Sequence, residues 1–276
     1  MDTISSNYYI CDGIIKSTDL SEEIITSKGI NLYEVIRVIQ GVPLFMEEHL
    51  ERLVNSAKIT NIILKYNNEE IKRLLKLLIE KNRINEGNIK IIFNHNERDT
   101  FYAYFIKHKY PDSKMYAEGV ATILYHGERE NPNAKVINSS FRQRVDEKIK
   151  EAKVFEAILV DNNGDITEGS KSNIFMIKGN RVITAPIKDV LPGVTRDRII
   201  ELLKKLNFNV VEKNINYKDI PKMDALFITG TSPKVLPINK VDEAKFNSIN
   251  NKILIEIITA YNNLIEHYIN NDINVK

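Results

Sequence analysis

Cysteine is almost missing from this chain, and the lack is informative. Cys11 stands alone among 276 residues, so no internal disulfide can form and no cysteine-rich metal site can be assembled. Histidine is nearly as sparse. His49, His95, His108, His126 and His267 are scattered, with no pair at metal-ligand spacing, and a protein-held catalytic metal finds no support. No run of eighteen apolar residues occurs, which removes a membrane-spanning helix from consideration. Met1 to Tyr9 lacks the basic start and long apolar core of a secretory leader. An excess of one charge is missing too: 39 Lys plus Arg face 37 Asp plus Glu, so no net field draws the chain to nucleic acid. The expectation left by these absences is a cytoplasmic protein with neither a membrane nor nucleic acid as its partner.

What is present is ordinary for a soluble enzyme: 43% hydrophobic and 28% charged residues. The length allows one large domain or two moderate ones. Two are expected, 1–112 and 113–276, with Tyr110-Pro111-Asp112-Ser113-Lys114 as the linker. In the first, Asp12-Gly13 marks a hairpin within Asn7 to Ile15, and Gln40-Gly41 turns the run Asn31 to Ile39 back through Val42 to Phe45. From Glu47 the period changes, and Leu50, Leu53, Val54, Ala57 and Lys58 share one helical face. A second helix is expected from about Glu69 to Lys81, then strands at Asn88 to Phe93 and Thr100 to Lys107. The second domain is read as strand Val120 to Tyr125, helix Phe141 to Lys153, strands at Asn209 to Glu212, Ala225 to Thr229 and Val235 to Val241, and a closing helix Ile249 to His267.

The stretch Phe155 to Arg198 organises the rest. Its apolar runs Ala157 to Val160, Asn173 to Ile177 and Arg181 to Thr184 are separated by Asn163-Gly164 and Gly179-Asn180, which reads as a small antiparallel meander. Glu168 lies near the end of its first hairpin, in Thr167-Glu168-Gly169-Ser170. Behind it, Leu191-Pro192-Gly193-Val194-Thr195 feeds an amphipathic run from Asp197 to Leu206. A glycine at a helix start offers unpaired N–H groups and a partial positive charge, as phosphate sites do. An acid and an anion cradle close together suit a phosphorylated aromatic cofactor.

Five motifs, in order and spread over nearly the whole chain, resemble the class IV, fold-type IV aminotransferases, the group of branched-chain and D-amino acid aminotransferases and aminodeoxychorismate lyase. They are Glu48-His49-Leu50-Glu51-Arg52-Leu53 with Ser56-Ala57-Lys58; Phe155-Glu156-Ala157-Ile158-Leu159; Thr167-Glu168-Gly169-Ser170 with Ser172-Asn173-Ile174-Phe175; Leu191-Pro192-Gly193-Val194-Thr195-Arg196-Asp197; and Phe227-Ile228-Thr229-Gly230-Thr231. The resemblance implies a two-domain α/β (α+β) fold, with a smaller N-terminal domain and a larger β-rich C-terminal domain that binds pyridoxal 5'-phosphate, and it implies a homodimer.

Carried over residue by residue, the resemblance implies that Lys135, in Lys135-Val136-Ile137-Asn138, forms the Schiff base, and that Glu168 faces the pyridine nitrogen. It assigns Arg52, Val194, Thr195, Gly230 and Thr231 to the cofactor phosphate, Asn138 to the cofactor, and Tyr33 and Ser232 to the substrate. Taken singly, each residue has a plainer reading: Lys135 and Arg52 as solvated charges, Glu168 as a turn acid, Tyr33 as core, Asn138 as a residue that turns the chain. The activity implied is amino-group transfer between an amino acid and a 2-oxo acid. The alternative is the lyase, which releases pyruvate and 4-aminobenzoate. D-amino acid members hold the substrate carboxylate with an Arg-x-His arrangement that Asn94-His95-Asn96-Glu97-Arg98 does not reproduce.

Overall fold

The computed structural model describes residues 4–18, 29–129 and 131–274. Residues 1–3, part of the stretch read as lacking a leader, lie outside them. The chain divides into two compact units. One holds residues 1–109 together with 134–137 and 265–276, and the other holds 110–133 and 138–264.

The first unit is built on a six-stranded antiparallel sheet. Its strands are β1 (Tyr8–Cys11), β2 (Ile14–Ser17), β3 (Ile30–Ile39), β4 (Val42–Pro43), β5 (Glu86–His95) and β6 (Thr100–Ile106), in the order β2-β1-β6-β5-β3-β4. Both expected hairpins form, and their turns place Asp12, Gly13, Gln40 and Gly41 at positive φ, where glycine costs least. Helices α1 (Met46–Ile59) and α2 (Asn68–Asn82) supply the apolar faces for the core, in which Leu32, Ile36, Val38, Ile89, Ile91 and Phe93 pack with Leu50, Leu53, Leu75 and Leu78. The strands alternate, so Tyr9, Ile92, Tyr102 and Tyr104 form a separate cluster with Tyr33 and Val35 packed against it. Helix α1 departs from its expected face. Lys58 is exposed, while His49, Arg52 and Ser56 are buried beside Leu53 and Ala57. The apolar stripe is wider than hydrophobicity alone indicates, because three polar side chains on it find buried partners.

Strand β4 is only two residues long, which leaves the N-terminal half of β3 without a neighbour on that side. Residues 134–137 fill the gap: Leu32 bridges Val136, the Tyr33 N–H donates to the Lys135 carbonyl at 3.0 Å, and the Ile137 N–H donates to the Asn31 carbonyl at 2.9 Å.

The second unit contains β7 (Val120–His126), β8 (Glu156–Val160), β9 (Ile166–Gly169), β10 (Asn173–Lys178), β11 (Arg181–Thr184), β12 (Asn209–Glu212), β13 (Ala225–Gly230), β14 (Lys234–Val241) and β15 (Ala244–Lys245), in a mixed sheet ordered β12-β11-β10-β13-β14-β7-β8-β9 with β15 on β14. The helices after α2 are α3 (Ser113–Glu118), α4 (Ser139–Ala152), α5 (Val194–Lys205) and α6 (Lys252–Asn274). No helix of the described residues is long and apolar enough to cross a membrane.

The expected meander is corrected. β8 pairs with β7 and β9, whereas β10 pairs with β11 and β13, so the first and second apolar runs are not partners. An extra strand, β9, carries Glu168 at one end of the sheet order. It joins β10, near the other end, through a turn in which the Gly169 N–H donates to the Ser172 carbonyl, so the sheet must curl to bring these two together. The stretch read as a linker also differs, since Asp112 caps the short α3 by accepting from the Met115 N–H.

Helix α2 starts with a reciprocal cap. The Asn67 side chain accepts from the Glu70 N–H at 3.0 Å, and the Glu70 carboxylate accepts from the Asn67 N–H at 2.9 Å. Asn67→Ala is expected to lower unfolding stability by about 1 kcal/mol, seen as a lower urea midpoint with unchanged slope. An unchanged midpoint would show that the cap is inert.

Candidate active site

Each unit carries a cluster of buried polar groups that holds expected site residues. In the first, Glu34 occupies a β3 position whose parity matches Leu32 and Ile36, and it is fully buried beneath α1. A carboxylate there must be paired. Arg52 supplies the pair side-on: Nε donates to Oε1 at 2.8 Å and Nη2 to Oε2 at 2.7 Å. His49, one turn earlier, places Nδ1 2.8 Å from the same Oε2. Burial pushes the Glu34 carboxyl up, but the charge and hydrogen bonds of Arg52, with those of His49, bring it down to about 2. With the carboxylate ionised, the neutral imidazole carries its proton on Nδ1 and donates it to Glu34. Burial holds His49 below its ordinary value, and the charges of Arg52 and Lys135 add to this against the pull of Glu34.

Ser56, one turn beyond Arg52 on the same stripe, accepts from the Lys135 N–H at 3.0 Å. With the Tyr33 N–H on its carbonyl, Lys135 is pinned on both sides of its peptide frame. Its ammonium lies 4.6 Å from the centroid of the Tyr33 ring, a cation–π contact. Lys135, Tyr33 and Arg52, all expected site residues, therefore belong to one cluster. Ser56 and Glu34 join them, two residues to which the sequence assigns no role. For Glu34 the signal is present, as an acid on the otherwise apolar core parity of its strand.

In the second unit, Glu168 is buried at the end of β9. Its Oε1 is 3.1 Å from Arg129 Nε, and its Oε2 accepts from the Leu191 N–H at 3.1 Å with the Asn173 amide at 3.5 Å. Arg129 also donates to the Ser170 carbonyl, as does Arg142. Beneath them the buried Glu156 accepts from the Ser170 and Ser172 hydroxyls. The glycine of Thr-Glu-Gly-Ser has a reason here, because a Cβ on Gly169 would stand 2.1 Å from Ser172 Oγ.

Asn173 ties this acid to the phosphate-type loop. Its amide also donates to the Leu191 carbonyl at 3.0 Å, its Oδ1 would lie 2.0 Å from a Cβ on Gly193, and it pairs across strands with Thr229. Helix α5 begins at Val194 and Thr195 with Gly193 as N-cap and no side chain accepting from its first turn. The Thr229 hydroxyl is buried without a hydrogen-bond partner among the described residues. Glu168, Val194, Thr195 and the strand leading to Gly230 and Thr231 are thus linked through one asparagine. Ser232 follows them and is half-buried. Asn138 caps α4, its Oδ1 accepting from the Phe141 N–H at 3.1 Å. Arg129 was invisible in the sequence, lying in an irregular polar stretch with no periodicity to mark it.

The two titrations have the same sign. Glu34, depressed from 4.5, contributes stability that is full above that value and is lost as pH falls towards about 2. His49, depressed from 6.5, contributes stability that is full above that value and declines as pH drops below it. His49→Gln should therefore flatten the fall in thermal midpoint between about pH 7 and about pH 5. An unaltered slope would show that His49 does not titrate differently on unfolding.

Residues 31–241 match the family model for amino-transferase class IV. The chain is 29% identical over 226 residues to D-alanine aminotransferase of Bacillus licheniformis, spanning 78% of this chain and 80% of that protein. It is 30% identical over 249 residues to a putative branched-chain-amino-acid aminotransferase of Methanocaldococcus jannaschii, spanning 83% of each. Among solved structures, the branched-chain amino acid aminotransferase of Escherichia coli shares the fold, with a TM-score of 0.85 at 22% identity over 95% of both chains.

Proposed function

We propose a division of labour among named residues for a chain that belongs to the class IV aminotransferase family, whose members use pyridoxal 5'-phosphate to move an amino group between an amino acid and a 2-oxo acid. The residues present suit that cofactor. An α5 start without a side-chain cap, an unpartnered buried Thr229 hydroxyl and a Gly193 with no room for a side chain fit a ligand that brings its own anionic acceptors. Bound there, the cofactor supplies an electron sink for a bond broken at the substrate α-carbon.

The chain's own residues do the rest. The Lys135 amine would hold the cofactor at its aldehyde carbon and, when freed by a substrate amine, would carry the proton taken from the substrate α-carbon. Ser56 and Tyr33 keep its backbone fixed while its side chain changes partners. Glu168, oriented by Arg129, the Leu191 N–H and Asn173, would hold the proton on the cofactor's ring nitrogen. Val194 and Thr195 would donate N–H groups to the phosphate, and Gly230, Thr231 and Arg52 are assigned to it on the family resemblance. Tyr33 and Ser232 line the substrate. The observation that carries this reading is Lys135 itself, a lysine fixed by main-chain bonds on the edge of β3 with its ammonium over Tyr33. We also read the enzyme as a cytoplasmic homodimer, on the family resemblance and the lone cysteine; light scattering tests the dimer.

Purified protein is expected to show the visible band of a lysine-bound cofactor, and Lys135→Ala to lose both the band and turnover. Screening L- and D-amino acids with 2-oxoglutarate should give glutamate. 4-Aminobenzoate from aminodeoxychorismate would instead establish the lyase, and a colourless protein that takes up no added cofactor would overturn both activities.

A further inference from the structure

Helix α5 carries an arginine where helix electrostatics disfavours one. Arg196 sits in the first turn, at the positive end of the helix dipole, and only 2% of it is exposed. Its Nη1 meets Asp197 at 3.2 Å, while its Nη2 donates both to the Ala185 carbonyl at 3.0 Å and to Glu212 Oε2 at 2.6 Å. Its Nε is buried with no hydrogen-bond partner among the described residues, a cost that an apolar packing side chain would avoid. The two acceptors on Nη2 share a location. β11 and β12 pair in parallel with Thr184 opposite Glu212, so Ala185 and Glu212 mark the carboxyl ends of the two strands that α5 connects. One guanidinium thus latches the start of a crossover helix to both of its own strands, all within the second unit.

The placement of that start matters under the reading of the phosphate site given above, on which this inference rests. The first bond of the α5 ladder runs from the Asp197 N–H to the Gly193 carbonyl at 2.9 Å, so the N–H groups of Val194 and Thr195 have no acceptor within the helix. Their aim is set by where the first turn sits. On the β10 side, Asn173 closes against Gly193 and leaves no room for a side chain there. On the side of β11 and β12, the guanidinium holds the chain three residues further on. We infer that Arg196, with Glu212, is a positioning residue that acts through the α5 backbone, aiming the Val194 and Thr195 N–H groups at the cofactor phosphate. Donors fixed before the ligand arrives bind it without the cost of ordering them. Two other roles make different predictions. If Arg196 acted on the phosphate only as a charge, lysine would serve as well, and removing the negative charge of Glu212 would tighten phosphate binding. If it served only folding, its loss would weaken the protein without singling out the phosphate.

The test is cofactor affinity, read from the visible band as apoprotein is titrated with pyridoxal 5'-phosphate and, separately, with pyridoxal, which lacks the phosphate. Arg196→Lys keeps the charge but cannot bridge two acceptors in a fixed plane. It is expected to weaken pyridoxal 5'-phosphate by roughly tenfold, the worth of one hydrogen bond to a charged group, and to leave pyridoxal unchanged. Glu212→Ala should move the same ratio in the same direction by less. Its side chain is 40% exposed, so it provides the measurement where Arg196→Lys does not yield folded protein. Full phosphate affinity in Arg196→Lys, tighter phosphate binding in Glu212→Ala, or equal losses for both ligands would each overturn the inference. Val194→Pro checks the underlying reading separately, since it removes one N–H at the first helical position, where proline is tolerated. A lower phosphate preference in Val194→Pro with none in Arg196→Lys would sink the inference and leave the phosphate at α5. A wild-type protein with no preference for the phosphorylated ligand, or one whose preference Val194→Pro leaves unaltered, would take the phosphate away from α5 and the inference with it. A wild-type protein that takes up neither ligand would remove the cofactor reading itself.

Discussion

The ion pair between Glu34 and Arg52 is the constraint on which the first unit's polar chemistry depends. β3 carries apolar residues at alternate positions beneath α1, and one of them is replaced by an acid. A lone carboxylate in that setting is untenable, so the helix above must answer with a cation, and it does so with the side edge of Arg52 and the ring of His49. The same helical stripe then reaches Ser56, which grips the backbone of Lys135. One buried charge thereby fixes the rotation of α1 over the sheet, and that rotation decides which of its side chains can meet residues 134–137.

Much of the fold was legible because its elements obey simple periodicities. The hairpin turns at Asp12-Gly13 and Gln40-Gly41, both helices of the first unit, and β13, β14 and α5 lie where alternation and helical spacing place them. The small meander was not legible. Short strands set apart by Asn-Gly announce a turn but not which strands become neighbours, and the pairing of β10 with β13 joins residues some fifty positions apart. The four-residue β9 has too few alternations to stand out.

The site was legible where a residue type is unusual for its position and hidden where partners are distant. Glu168 and the glycine-led start of α5 could be singled out from local sequence. Arg129 could not, because its claim rests on a contact with Glu168 across 39 positions. Asn173 lies inside a recognised motif without a role, since its contacts come from three separate segments, β9, the loop Leu191 to Gly193 and β13. Asn138 shows the reverse: a motif asparagine whose side chain caps a helix.

Lys135 owes its location to bonds made by its peptide groups, with Asn31, Tyr33 and Ser56 supplying the other partners for the segment. None of those bonds involves the side-chain nitrogen. With the role proposed for Lys135, its backbone would stay in register whether or not its amine is engaged, so exchange of whatever the amine carries would ask for no rearrangement of the segment.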